Sequence, residues 1–126
     1  MRTIYLSKPI PIKDINKFNF VNITIIDHKK CTIQVFIDKP FVFYGYTNKD
    51  ELLNFEIHNH DYNFIKTLLE FFIVNFGVLF LTDDDMEIIF REPNTPRELL
   101  YERSLKEFGL HKYLRYNKLK KIKGIN

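Results

Sequence analysis

The residues best suited to chemistry lie in one short run, His58-Asn59-His60-Asp61. In an extended segment, histidines one residue apart point to the same side, and an aspartate beside them adds an oxygen ligand. His58, His60 and Asp61 could on that ground begin a zinc or manganese site and, with it, a metal-dependent hydrolase, the least favoured of three readings. A closed zinc site takes four ligands, however, and no fourth is marked: His28 and His111 stand alone. The stronger reading is a polar loop that enters a helix with Asp61 as its N-cap. The letters His-Asn-His share a label with a nuclease motif, but that motif spreads its residues through a hairpin and a helix.

Asp83-Asp84-Asp85 offers oxygen to a hard cation, yet it lacks the alternating acids, glycine and distal glutamate of a calcium loop. Such a run more often solvates a turn or meets a basic partner. Cys31 has no histidine and acid arranged to activate a thiolate, since His28 sits across a turn, and it reads as a small core residue. Glycines at 45, 77, 109 and 124 are too scattered to cradle a phosphate. Gly-x-Ser-x-Gly, His-Glu-x-x-His and paired Cys-x-x-Cys are all missing. The sequence predicts no enzyme, no resident metal and no cofactor.

The elements that would position these residues follow from periodicity. Ile65, Leu68, Leu69, Phe72, Ile73 and Phe76 recur at helical spacing, widened by Phe64, Phe71 and Val74, which predicts a deeply packed helix over 61–76 that ends at Gly77. Apolar alternation predicts strands near 20–27, 32–38 and 41–46. Residues 78–82 and 86–91 read as a further hairpin whose turn is Thr82-Asp83-Asp84-Asp85. Residues 2–6 can add a short first strand, and Lys8-Pro9-Ile10-Pro11 is extended or turned. Around Asn48 a capping box with Glu51 suggests one helical turn, while alternation at Phe55 and Ile57 fits a short strand equally well. Farther on, Thr95 as N-cap, Pro96 at the first helical position and Glu98 start a helix that stops at Gly109, followed by another short helix over 110–119. The fold class is α+β: one domain over 1–126, with a mainly antiparallel sheet of about five strands, a buried helix on one face and the C-terminal helices at an edge.

A single cysteine excludes an internal disulfide and fits a reducing compartment. The N-terminus has no long apolar run of the signal-peptide kind, and the apolar stretch around 71–81 is broken by Asn75 and Gly77 and is too short to span a membrane. A cytoplasmic protein is expected. The chain contains no alanine, as an AT-rich gene would encode.

Charge is strongly segregated. Residues 1–49 carry eight Lys/Arg and three acids; residues 50–92 carry ten acids against Lys66 and Arg91; residues 93–126 carry nine Lys/Arg and three acids. One-sign clusters steer partners of opposite sign. The acidic middle points to a basic protein partner met by Asp50, Glu51, Glu56, Asp61, Asp83, Asp84, Asp85 and Glu87. At the C-terminus, Lys112, Arg115, Lys118, Lys120 and Lys121 alternate with Tyr113 and Tyr116, a pattern that neutralises phosphates and stacks on bases. The alternative is therefore a small nucleic-acid-binding or phage-encoded regulatory protein.

In size, charge pattern and architecture the chain resembles the small immunity proteins of bacterial contact-dependent growth inhibition and related polymorphic toxin systems. That resemblance implies a non-enzymatic inhibitor that neutralises a cognate toxin, often a nuclease, by occluding its site. Its net charge of +3 departs from the acidic balance of many such inhibitors, so the electrostatic case rests on residues 50–92.

Overall fold

A computed structural model of the chain describes residues 2–11, 21–25, 30–36, 40–47, 51–58 and 62–114. The class is α+β. The chain divides into two compact units, residues 1–60 and 61–126.

The first unit is an antiparallel sheet. Its strands are β1 (Arg2–Pro11), β2 (Val21–Ile25), β3 (Lys30–Phe36), β4 (Pro40–Thr47) and β5 (Glu51–Ile57), in the order β2-β3-β4-β5-β1. The hairpins β2–β3 and β3–β4 pair without interruption, with Ile23 opposite Ile33 and Ile33 opposite Phe43. Their apolar alternation is the pattern from which these strands are expected. Cys31 lies in β3 opposite Gly45.

Of the two readings open after Asn48, a helical turn or a short strand, β5 is the strand, and it extends back to Glu51. It lies between β4 and β1 and pairs with both, so its backbone groups find partners on each side. Leu52, Phe55 and Ile57 are at most 1% exposed. Regular alternation would not put Leu52 and Phe55 on one face, and a bulge reconciles them. Against β4, Tyr46 faces Asn54 and Thr47 faces Leu52, which leaves Leu53 as the extra residue. Leu53 is accordingly exposed. β1 is irregular at the same level, passing from Tyr5 opposite Asn54 to Ile10 opposite Leu52. Pro9, which has no N–H to donate, sits in that unpaired stretch. β1 is thus longer than the expected strand, and Ile4 and Ile10 are both buried.

Gly45 is required by this packing. A Cβ there would collide with the Leu52 side chain, come within 3.0 Å of the Asn54 carbonyl oxygen and lie 3.3 Å from Phe55 Cβ.

The second unit contains α1 (Tyr62–Phe76), β6 (Phe80–Thr82), α2 (Asp83–Arg91) and α3 (Arg97–Glu107). In α1, Phe64, Ile65, Leu68, Leu69, Phe72 and Ile73 are buried, as the periodicity predicts. Val74, expected to widen the stripe, is 61% exposed. Asp61, the expected cap, lies outside the described residues. The helix ends at Gly77 with φ 64°, whose N–H donates to the Ile73 carbonyl at 3.0 Å. This is the left-handed termination that glycine adopts at little cost.

The strand expected over 86–91 is a helix instead, and the turn before it is that helix's first turn. The expected strand over 78–82 contracts to β6, whose three residues are all buried. β6 packs against both α2 and α3.

α3 opens one residue later than expected. Pro96 has ψ 129°, which is extended, so it is the N-cap and not the first helical residue; neither it nor Thr95 supplies a side-chain cap. The C-terminus closes as a Schellman motif: Leu110 N–H donates to the Leu105 carbonyl at 2.7 Å and Gly109 N–H, at φ 68°, to that of Lys106 at 3.1 Å. Leu105 and Leu110 are both buried. Of the short helix expected next, a turn is described through Tyr113 N–H to Leu110 O and Leu114 N–H to His111 O, and the rest lies outside the described residues.

Phe108 ties this unit together. Its ring stacks on Tyr62 (5.8 Å, 15°) and meets Phe80 edge-on (5.7 Å, 64°). The Tyr62 hydroxyl donates to the Glu107 carbonyl at 3.2 Å, satisfying an acceptor that the helix end leaves open.

Candidate binding surface

The functional question centres on Thr82-Asp83-Asp84-Asp85, because the fold sends its carboxylates in different directions. Thr82 has extended backbone angles (φ −103°, ψ 174°) and is the N-cap of α2, with Asp85 as the returning partner of a capping box. Asp85 Oδ2 accepts from Thr82 N–H at 2.9 Å and from Thr82 Oγ1 at 3.0 Å. It also accepts from Ser104 Oγ on α3, which joins the two helices. Thr82, Asp85 and Ser104 are 1%, 2% and 1% exposed. Asp85, expected on the partner surface, is therefore removed from it: its carboxylate is used inside the fold.

Asp83 and Asp84 remain exposed on the first turn of α2, where the helix dipole favours negative charge. Glu87 is exposed one turn on, next to Asp83 on the helix surface. Beside this surface a groove of ≈ 300 Å³ is lined by Thr82, Asp84, Asp85, Arg103 and Glu107. Carboxylates and a guanidinium give it a polar lining, suited to charged or hydrogen-bonding groups and not to an apolar ligand.

The remaining expected partner residues belong to the first unit or lie outside the described residues. Glu51 is exposed at the start of β5. Glu56 is half-buried, with His58 Nε2 3.7 Å from its Oε2. The His58 ring meets Tyr44 edge-on at 4.7 Å, and Tyr44 is the cross-strand partner of Glu56. His58 is thus part of a half-exposed trio on the sheet. Asp50, His60 and Asp61 lie outside the described residues, as do Arg115, Lys118, Lys120 and Lys121. Lys112 is exposed, with its Nζ 5.1 Å from the Tyr113 ring centroid. Among the described residues no group of three or more His, Cys, Asp or Glu could hold a metal ion. None of the described helices is long and apolar enough to cross a membrane.

Sequence reasoning missed the Asp85–Ser104 connection and the helical state of α2. One local signal was present: Thr82-x-x-Asp85 matches the Ser/Thr-x-x-Asp/Glu pattern that precedes an apolar run at a helix start. The chain matches no family model, and no curated protein and no solved structure shows significant similarity to it.

Proposed function

We propose that this chain is a non-enzymatic binding protein of the immunity type, which neutralises a basic protein, a cognate toxin with nuclease activity, by covering its site with an acidic surface. The observation that carries this reading is the exposure of Asp83, Asp84 and Glu87 on one short helix. Fixed carboxylates on a rigid element attract a basic partner at long range and hold its orientation on contact. Asp85 supports the surface from beneath by capping the helix that presents it.

The test is charge reversal at the exposed positions only: Asp83→Lys, Asp84→Lys and Glu87→Lys together. Asp85→Lys is left out because it would bury an ammonium among hydrogen-bond donors. The partner is captured from source cells, purified and titrated against both proteins at low and high salt. The expected result is a large loss of affinity in the triple variant, mostly through a slower on-rate, and a weaker salt dependence. Equal affinity and equal salt dependence in the two proteins would refute the proposal.

A further inference from the structure

The exposed face of α2 is not uniformly polar. Asp83, Glu87 and Phe90 stand at i, i+4 and i+7, a spacing that aligns them along one side of a helix. All three are exposed, and Phe90 at 86% is the most exposed large hydrophobic among the described residues, ahead of Val74 at 61% and Leu99 at 57%. A phenylalanine held in water at the end of an acidic stripe gives that stripe an apolar tip. Aromatic anchors of this kind, seated in a pocket and ringed by charge, carry much of the affinity of protein interfaces.

We propose that Phe90 is the apolar anchor of the acidic surface, and that it enters an apolar pocket rimmed by lysine or arginine on a protein partner. This deepens the binding reading above and rests on it. Charge complementarity selects the occupant. A second copy docking through the same face would set two net-acidic helix surfaces together, since in each Asp83, Asp84 and Glu87 outnumber Arg91. A nucleic acid would set phosphates against the same carboxylates. An anionic lipid surface would do likewise. A basic surface with an apolar recess satisfies both the acids and the ring.

The experiment titrates labelled peptides into the full chain: an amphipathic Lys–Leu peptide with leucines at helical spacing, and an oligolysine with the same number of lysines. The proteins are the wild type, Phe90→Ala, Leu99→Ala and the Asp83→Lys/Asp84→Lys/Glu87→Lys variant, each checked for folding by circular dichroism. The wild type is expected to prefer the Lys–Leu peptide by about tenfold or more. Phe90→Ala should erase that preference and leave oligolysine binding unchanged, while Leu99→Ala should keep it. A preference that survives Phe90→Ala, or that Leu99→Ala removes equally, overturns the anchor. In that event the acidic-surface reading still stands if charge reversal abolishes oligolysine binding, and falls if it does not. A wild type that binds neither peptide overturns both. Sedimentation of the wild type and Phe90→Ala covers self-association: a dimer lost in the variant makes a second copy the occupant and refutes the anchor as stated.

Discussion

Replacing Asp85 with alanine gives the sharpest test of how this fold builds its acidic surface. One carboxylate oxygen receives the Thr82 amide at 2.9 Å, the Thr82 hydroxyl at 3.0 Å and the Ser104 hydroxyl. Truncation leaves the amide without its cap, which alone costs about 1 kcal/mol. It also leaves the Ser104 hydroxyl, 1% exposed, without its acceptor, at about 1–3 kcal/mol. The expected total is about 2–4 kcal/mol. Asp83→Ala, at an exposed position two residues earlier, gives up a helix-dipole interaction of about 0.3–1 kcal/mol and is expected to cost less than Asp85→Ala. Urea unfolding followed at 222 nm reports both variants, since α1, α2 and α3 supply the helical signal. The Ser104→Ala variant completes a double-mutant cycle, with an expected coupling of about 1–2 kcal/mol. Equal losses for Asp85→Ala and Asp83→Ala, or strict additivity with Ser104→Ala, would refute the buried network.

Other outcomes follow from the backbone and the aromatic core. Gly109→Ala should destabilise by about 1–2 kcal/mol because φ 68° disfavours an L side chain. Gly109→Asn, which tolerates that region, should cost less, and equal losses in thermal unfolding would remove the left-handed argument. Gly45→Ala should cost about 1–3 kcal/mol, because the new methyl meets Leu52 and the Asn54 carbonyl, and a neutral result in urea would mean that the strands separate freely there. Phe108→Ala removes the ring between Tyr62 and Phe80 and should cost about 3–5 kcal/mol, with near-ultraviolet dichroism registering the loss of the tyrosine's fixed environment.

The connection between sequence and site is uneven in an instructive way. Glu87 and the Asp83–Asp84 pair were visible as a charge cluster, and the structure leaves them exposed. Asp85 carries the same side chain in the same run, and nothing in composition separates it from its neighbours. Its burial follows from its place in the helix: three residues after Thr82, it returns to the cap and faces Ser104, 19 residues away in sequence. His58 was singled out for its chemistry, and its described contacts are Glu56 and Tyr44, the second of which comes from the neighbouring strand.

By itself, the sequence determined the elements whose signals are local and long. Fifteen residues of 3.6-fold apolar recurrence specify α1, and glycines at 77 and 109 specify where α1 and α3 end, because few other residues adopt positive φ there. Alternation over residues 21–25 and 30–36 likewise specifies a hairpin. Tertiary structure decided the short segments. The apolar run 86–90 is too brief for its period to separate strand from helix, and a cap at Thr82 with a buried contact to Ser104 settles it as α2. Asn48 and Glu51 carry a helix-start signal that competes with strand alternation at Phe55 and Ile57, and pairing of residues 51–57 with β1 and β4, with burial of Leu52, Phe55 and Ile57, decides for the strand. Where a segment is short, its own residues offer only a few tenths of a kcal/mol to about 1 kcal/mol of preference, and the partners brought by the rest of the chain offer more.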